Sequence, residues 1–342
     1  MEGRGLLRLP FAAAVPFLFA LFAVFDQGEG GIGVNYGLKG NNLPSPATAI
    51  SLCKSRNITK LRLFDPNPGP LNALRNSGIG VILGSLNEDL QKFAGDPSAA
   101  ASWVEANIVP YADTVDFNYI DIGNELVPGE SASYVLPAMC NVAAAIRAAG
   151  LSIPVTTAVS TMVLGTSYPP SQGAFSGETS QVMGPIVSFL ASTSTPLLIN
   201  IYPFFAYSGD PENVSLDYSL FTTNDAVVRD DNLGYSNLFD AMVDSVYSAL
   251  ERVGGSEVSL VVSETGWPSA GGANGATIDN ARIYNNNLVK HVNSKVGTPK
   301  RPGKELEVYM FAMFNENLKP AGIERNFGMF YPDMTEVYPM DF

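Results

Sequence analysis

Polar residues able to do chemistry follow short apolar segments at several points along the chain. Glu125 and Glu264 each come after such a segment, directly preceded by Asn124 and Ser263. If the segments are strands of a parallel barrel, their carboxyl ends meet on one rim, where barrel enzymes carry their reactive groups. The same rim would hold further strand-end groups, namely Asn35-Tyr36-Gly37, Arg62-Leu63-Phe64-Asp65, Asn200-Ile201-Tyr202 and Phe314-Asn315-Glu316-Asn317.

Two facing carboxylates are the groups that glycoside hydrolysis requires. One protonates the departing oxygen, and the other attacks the sugar or activates water. A separation of about 5–5.5 Å gives retention of configuration and about 6.5–9.5 Å gives inversion. A single glutamate after a strand is more often a helix cap or an ion-pair partner. Two of them, each after a buried strand, favour a catalytic role for Glu125 and Glu264.

Most other chemistries lack the residues they need. His291 is the one histidine of the sequence and lies in a helical pattern, and no G-x-S-x-G motif accompanies it. One histidine and the separated Cys53 and Cys140 cannot form a usual zinc site. No phosphate-binding loop occurs. A carboxylate calcium site stays open, but no EF-hand spacing supports one. We therefore expect neither a metal nor a cofactor.

Aromatic residues at strand ends are candidates for stacking on the apolar faces of sugar rings. Tyr36, Tyr202 and Trp267 lie beside polar residues at these ends, and Phe205 and Phe327 follow nearby. Any one aromatic residue is more often part of the core, because aromatic rings dominate core burial. The position at strand ends favours substrate contact for the first three, whereas for Phe327 the two interpretations are balanced.

Eight apolar segments alternate with amphipathic ones after residue 30, which predicts a single (β/α)8 TIM barrel of class α/β. A doubly wound sheet is disfavoured, because Gly31 and Gly33 precede or lie within the first strand and only Gly37 follows it. The predicted strands are Gly31–Tyr36, Lys60–Phe64, Gly80–Gly84, Phe117–Ile122, Pro154–Val159, Pro196–Tyr202, Val258–Ser263 and Leu306–Phe314.

Helical periodicity fills the intervals between these strands. One helix is predicted to end before Gly150, and another is predicted to be capped by Asn237 and to end before Gly254. The segment Pro203–Ser236 is long and rich in Gly, Asp, Asn and aromatic residues. A connection of this length is usually functional, and we expect it to form one wall of a cleft. A surface excursion without function is the alternative.

The N-terminus resembles a secretory signal. Arg4 and Arg8 precede an apolar run from about residue 10 to residue 25, which is short for a membrane span. We therefore expect a signal peptide at residues 1–30, a catalytic domain at residues 31–342 and no membrane anchor. Cys53 and Cys140 are predicted to be buried free thiols, although one disulfide is possible. Asn57 and Asn213 begin glycan acceptor sequons.

The net charge of the chain indicates which classes of binding partner are disfavoured. The formal net charge is −13, with 20 Lys and Arg against 33 Asp and Glu. Nucleic acid and anionic membranes are disfavoured, because the chain lacks the basic surface that binds phosphate. A neutral polysaccharide fits this balance.

Six ordered motifs resemble those of the plant family 17 glycoside hydrolases, and the resemblance runs from about Ile32 to Phe342. The motifs are Ile32–Gly37, Arg62–Asn67, Ile122–Glu125, Asn200–Pro203, Val262–Ser269 and Phe311–Asn317. This resemblance implies a TIM barrel with the activity of a retaining endo-β-glucanase.

The resemblance also implies roles for single residues. Glu125 would be the general acid/base and Glu264 the nucleophile, so we expect Glu125 to be buried. Glu316, Lys319 and Glu324 match polar positions of the family's cleft, although a structural ion pair between Glu316 and Lys319 is equally compatible. The predicted substrate-contacting residues are Tyr36, Asn124, Tyr202, Trp267, Glu316, Lys319, Glu324 and Phe327.

The family's prevalent activity implies a 1,3-β-glucan substrate. Mixed-linkage 1,3-1,4-β-glucan is the nearest alternative, and a catalytically silent, glucan-binding defence protein is a second. Secretion would place the chain in the apoplast or cell wall, where we expect a monomer.

Overall fold

A computed structural model describes residues 30–342 of the chain. The predicted signal peptide at residues 1–30 lies, apart from Gly30, outside the described residues. Within residues 30–342, no helix is both long and apolar enough to cross a membrane.

Within the described residues, eight parallel strands close into one barrel, as the sequence predicts. Each strand pairs with its neighbours in chain order, and the last strand pairs with the first. The eight predicted segments all contain a strand, with ends that differ by a few residues. The strands are β1 Gly31–Asn35, β2 Lys60–Leu63, β3 Gly80–Gly84, β4 Asp116–Asn124, β5 Val155–Ser160, β6 Leu197–Asn200, β7 Leu260–Thr265 and β8 Glu307–Met310.

Helices surround the barrel, and their ends follow the signals in the sequence. The Asn237 side chain accepts a hydrogen bond from the Asp240 backbone and starts α9, while Gly150 takes a left-handed φ of 76° just after α5. The described helices are α1 Pro46–Ser55, α2 Pro68–Leu74, α3 Leu90–Gly95, α4 Pro97–Asn107, α5 Ala132–Ala148, α6 Gly177–Thr193, α7 Pro203–Gly209, α8 Leu216–Ser219, α9 Leu238–Arg252 and α10 Ile278–Asn293.

The barrel interior has an apolar layer below a polar one. Ile82, Ala158, Leu198, Val261 and Tyr309 form a buried cluster contributed by five of the eight strands. Nearer the carboxyl ends, the buried side chains are polar, and they include Asn35, Arg62, Asp121, Asn200 and Ser263. Burial shields these polar side chains from bulk solvent, so hydrogen bonds within the layer are needed to offset the cost of burying them.

The segment Pro203–Ser236 contains regular structure. It comprises α7, α8 and a hairpin of Val228–Asp230 with Leu233–Tyr235. Two further hairpins pair Leu164–Thr166 with Ala174–Phe175 and Gly297–Thr298 with Arg301–Pro302.

The two cysteines are free, but only one is buried. Cys53 on α1 lies in the core, and burial raises the pKa of its thiol to about 12. Cys140 on α5 is exposed, so its predicted burial is wrong. The apolar period of α5 places Met139 and Val142 in the core and turns Cys140 outward.

A buried carboxylate on α9 holds the hairpin that follows α10. Asp244 is fully buried, accepts a hydrogen bond from the Thr298 hydroxyl and accepts another from the Lys300 backbone N–H at 2.8 Å. Burial raises the pKa of Asp244 to about 6, while the hydrogen bonds oppose this rise.

We predict that Asp244→Asn removes a pH-dependent loss of stability. The pKa of Asp244 is raised from 3.8 to about 6, so its favourable contribution is complete below pH 3.8 and is lost as pH rises through 6. The expected loss is about 3 kcal/mol, and urea unfolding of both proteins between pH 4 and 7 measures it. Asp279→Asn, at an exposed aspartate, is the control and should follow the wild-type curve. Parallel curves for Asp244→Asn and the wild type would contradict the prediction.

Candidate active site

Arg62 occupies the centre of the barrel mouth. It extends from β2 into the polar layer, where it is fully buried. One terminal nitrogen, Nη1, donates to Glu264 Oε1 at 2.7 Å, and the other, Nη2, donates to Asp121 Oδ2 at 2.8 Å. Nη2 also donates to Asn124 Oδ1 at 2.9 Å. The guanidinium therefore joins side chains from two other strands, β4 and β7, as its planar fork allows.

Glu264 at the end of β7 is held from two sides. Its Oε1 accepts from Arg62, and its Oε2 accepts from the Tyr202 hydroxyl at 2.8 Å. The residue is 7% exposed. Burial and the nearby Glu125 carboxylate hold the pKa of Glu264 above its ordinary value, and the Arg62 guanidinium and the Tyr202 hydroxyl limit this rise. The two donors stabilise the anionic form and fix the direction of the carboxylate.

A backbone irregularity places Glu264. The register of β7 against β6 shifts between Val262 and Glu264, which marks a bulge at Ser263. The freed Ser263 carbonyl accepts from the Asn35 amide at 2.9 Å and from Arg62 Nη1 at 3.3 Å. Bulges near the ends of strands redirect side chains, and here the bulge accompanies a glutamate that faces the barrel axis.

Glu125 is placed by a different irregularity, just after β4. It has a left-handed φ of 57°, and Gly123 has a φ of 88°. The Glu125 backbone N–H donates to the Ala158 carbonyl at 2.9 Å. The Asn87 side chain bonds both the N–H and the carbonyl of Asn124, each at 2.9 Å. A non-glycine residue in this region is strained, and these contacts hold it there.

The side chain of Glu125 is exposed, so its predicted burial is wrong. Its Oε1 accepts a hydrogen bond from Asn200 Nδ2 at 2.8 Å. The same amide nitrogen donates to Asn124 Oδ1 at 3.1 Å, and Asn200 Oδ1 accepts from the Ser263 hydroxyl at 2.8 Å. Asn200 thus links the two glutamate-bearing strand ends.

Both glutamates line one cavity of about 540 Å³, which we call the acidic cavity. Glu324, another predicted site residue, also lines it. Aromatic rings form much of its remaining wall, and Tyr202 and Phe205 lie with their centroids 5.3 Å apart. The aromatic lining residues are Tyr202, Phe205, Phe311 and Phe327. Carboxylates beside aromatic rings suit a ligand with both hydroxyl groups and apolar faces.

Two predicted sugar platforms do not face the cavity. Tyr36 is 1% exposed, its ring packs edge-on against Phe314, and burial raises the pKa of its hydroxyl to about 12. Trp267 is fully buried, and its indole N–H donates to the Gly275 carbonyl at 2.8 Å. The expectation that these two rings contact a sugar is not met, because both belong to the layer between barrel and helices.

Glu316 and Lys319 form an ion pair outside the acidic cavity. Lys319 Nζ lies 3.1 Å from Glu316 Oε2 and 4.1 Å from the centroid of the Phe311 ring. The positive charge of Lys319 also lowers the pKa of Glu264, although less than Arg62 does. Lys319 therefore adds positive charge near Glu264 and contacts Phe311, a ring that lines the acidic cavity.

Sequence reasoning placed Arg62 and Asn200 at strand ends but assigned neither a role. Both residues are far from Glu264 along the chain, so their contacts with the strand end that carries Glu264 could not be predicted from the sequence. Asp121 gave no signal either, because one carboxylate inside an apolar strand is also consistent with a structural ion pair. Among residues 30–342, no group of His, Cys, Asp and Glu side chains is arranged to hold a metal ion.

Known proteins resemble this chain over nearly its whole length. The model of the family described as Glycosyl hydrolases family 17 matches residues 32–342. A putative glucan endo-1,3-beta-glucosidase GVI of Hordeum vulgare is 59% identical over 317 residues, which cover 92% of this chain and 98% of that protein. Lichenase-2 of Hordeum vulgare is 49% identical over 312 residues, with 91% and 98% covered. The structure of CJP38, a beta-1,3-glucanase and pollen allergen of Cryptomeria japonica, has a TM-score of 0.88 at 47% identity and covers 91% of this chain and 99% of its own.

We predict that Arg62→Met lowers the free energy of unfolding by about 3–5 kcal/mol, because it leaves the buried Asp121 and Glu264 without their cation. The control is Arg282→Met, since Arg282 is an exposed residue whose nearest carboxylate oxygen lies 4.0 Å away. Its effect should stay within about 0.5 kcal/mol. Chemical denaturation at pH 7 measures both variants. Equal and small losses in the two would show that the buried network contributes nothing to stability.

Proposed function

The chain belongs to glycosyl hydrolase family 17, and we propose that it cleaves internal 1,3-β-glucosidic linkages of β-glucans with retention of configuration. The contact set of Glu264 carries this proposal. A carboxylate fixed by Arg62 and Tyr202, in the same cavity as Glu125, is an oriented nucleophile beside an acid.

The proposed reaction has two steps. In the first, Glu264 attacks the anomeric carbon while Glu125 donates a proton to the departing oxygen, which forms a covalent glycosyl-enzyme. In the second, Glu125 takes a proton from water, and that water releases the sugar from Glu264. Arg62 and Tyr202 keep the attacking oxygen directed at the cavity, and Asn200 orients Glu125.

Substrate binding would complete the environment of Glu125. Its carboxyl group is exposed in the free protein, and a glucan in the acidic cavity would cover it. Water is then excluded from the proton that Glu125 delivers. We propose that Glu324 and the rings of Tyr202, Phe205 and Phe327 contact the sugar, because they line the same cavity.

Mixed-linkage 1,3-1,4-β-glucan is the second candidate substrate, favoured by the relative named lichenase-2. Both polymers are neutral and would be cleaved by the same two glutamates. We place 1,3-β-glucan first, because the relative of higher identity and the structurally similar pollen protein are both named for 1,3-β-linkages.

We further propose that the chain is secreted and acts on cell-wall glucan as a monomer, with a role in plant defence. The basic and apolar pattern of residues 1–30 and the glycan sequon at Asn57 support export. N-terminal sequencing of the exported protein checks the proposed secretion, and we expect a mature chain that begins near Gly31.

Product analysis tests the proposed function directly. The purified mature protein is incubated with laminarin and, separately, with barley mixed-linkage glucan. We expect short 1,3-β-linked oligosaccharides from laminarin, with the β-anomer appearing first by NMR. Cleavage of the mixed-linkage polymer alone would make mixed-linkage glucan the substrate in place of 1,3-β-glucan. Absence of cleavage in a folded protein would leave a glucan-binding protein instead.

Chemical rescue of alanine variants distinguishes the catalytic roles of the two glutamates. Glu264→Ala should abolish turnover, and Glu125→Ala should slow it by about 100-fold to 10,000-fold. With an activated β-glucosyl substrate, azide should then give an α-glucosyl azide from the first variant and a β-glucosyl azide from the second. Glu105→Ala on the exposed face of α4 is the control and should keep full activity. Exchanged products would reverse the two roles.

A further inference from the structure

A second cavity adjoins the acidic cavity. It has a volume of about 750 Å³, and we call it the side cavity. Thr161, Ala206 and Met242 line both cavities and form their common wall. A group bound in the side cavity would therefore lie next to a ligand held by Glu125 and Glu264.

The side cavity differs from the acidic cavity in its chemistry. Within residues 30–342, none of the side chains that line it is charged. Hydroxyl groups of Thr161 and Ser167 lie among apolar side chains such as Leu164 and Met242. The ring of Tyr168 lines the cavity and is 71% exposed. An uncharged lining with hydroxyl groups and an open aromatic ring fits a neutral sugar.

The position of the side cavity indicates which part of a glucan it would hold. Leu238, Met242 and Ser245 belong to the first turns of α9, in the outer layer of helices, and all three line the cavity. A main chain that lies across the strand ends of the barrel would pass the entrance of this cavity. A substituent that projects sideways from that main chain would enter it.

We propose that the side cavity binds a β-glucosyl branch carried on the 6-hydroxyl of a 1,3-β-glucan main chain. This inference rests on the function proposed above. The 6-hydroxyl is not used in the main-chain linkage, and its extra rotatable bond lets a branch turn away from the main chain. Branched glucan is thereby a preferred substrate, because the branch adds contacts near the catalytic pair without displacing the main chain.

The test compares a linear 1,3-β-gluco-oligosaccharide with the same oligosaccharide carrying one 6-O-glucosyl branch. The measured quantity is the ratio of kcat/KM for the branched to the linear substrate. We expect this ratio to exceed one for the wild type and to fall by about fivefold in Tyr168→Ala, which removes the open ring. Ser167→Trp, at an exposed residue of the rim, narrows the cavity and should lower the ratio as well.

Tyr331→Ala is the matched control, because Tyr331 is also an exposed tyrosine and lines neither cavity. Its ratio should equal that of the wild type. A ratio that stays unchanged in Tyr168→Ala and Ser167→Trp overturns the proposal. If the two variants lose kcat/KM equally on the branched and the linear substrate, the proposal is also overturned, because the side cavity then holds the main chain. If the wild type cleaves neither substrate, the proposed function fails and the inference fails with it.

Discussion

The site depends on one buried cation. Arg62 lies in the barrel mouth where water cannot solvate it, so its charge must be balanced by Asp121 and Glu264. The guanidinium that pairs with these two carboxylates also holds Glu264 Oε1 in place. Because both carboxylates come from other strands, the ion pairs form only when the barrel is closed. The position of Glu264 is therefore set by the closed barrel itself.

Two local departures from regular backbone complete the arrangement. The bulge in β7 directs Glu264 towards the axis, and the left-handed backbone at Glu125 follows β4 directly. Gly123 has a φ of 88°, which favours glycine, and an added Cβ would also lie 2.7 Å from the end of the Leu90 side chain, which would have to move. Strain of this kind persists only where surrounding contacts over-determine it, and Asn87 and Ala158 supply those contacts.

The order of elements could be predicted from the sequence, because buried parallel strands have a strong apolar signature and the helices carry clear caps. The direction of each strand-end side chain could not. Successive residues of a strand face opposite sides, so Asn35 points into the barrel and Tyr36 points to the helix layer. At the end of β7, Glu264 faces inward, whereas the Thr265 hydroxyl bonds Tyr284 of α10 and Trp267 lies farther out. Reading polar neighbours as a sign of the cleft therefore selected Tyr202, which lines the acidic cavity, but also Tyr36 and Trp267, which do not. The exposed Phe205 also lines the cavity and was a better candidate than those two.

The two glutamates differ in environment in a way that matches two chemical roles. Glu264 is buried between a cation and a hydroxyl donor, contacts that favour a fixed anion. Glu125 is exposed and is contacted by the uncharged amide of Asn200, so its surroundings change when a ligand covers it. A nucleophile must be oriented before the substrate arrives, whereas an acid that later serves as a base must meet water in the second step. The closed position of Glu264 and the open position of Glu125 provide this difference, and Asn200 and Asn124 link the two positions through hydrogen bonds across the barrel mouth.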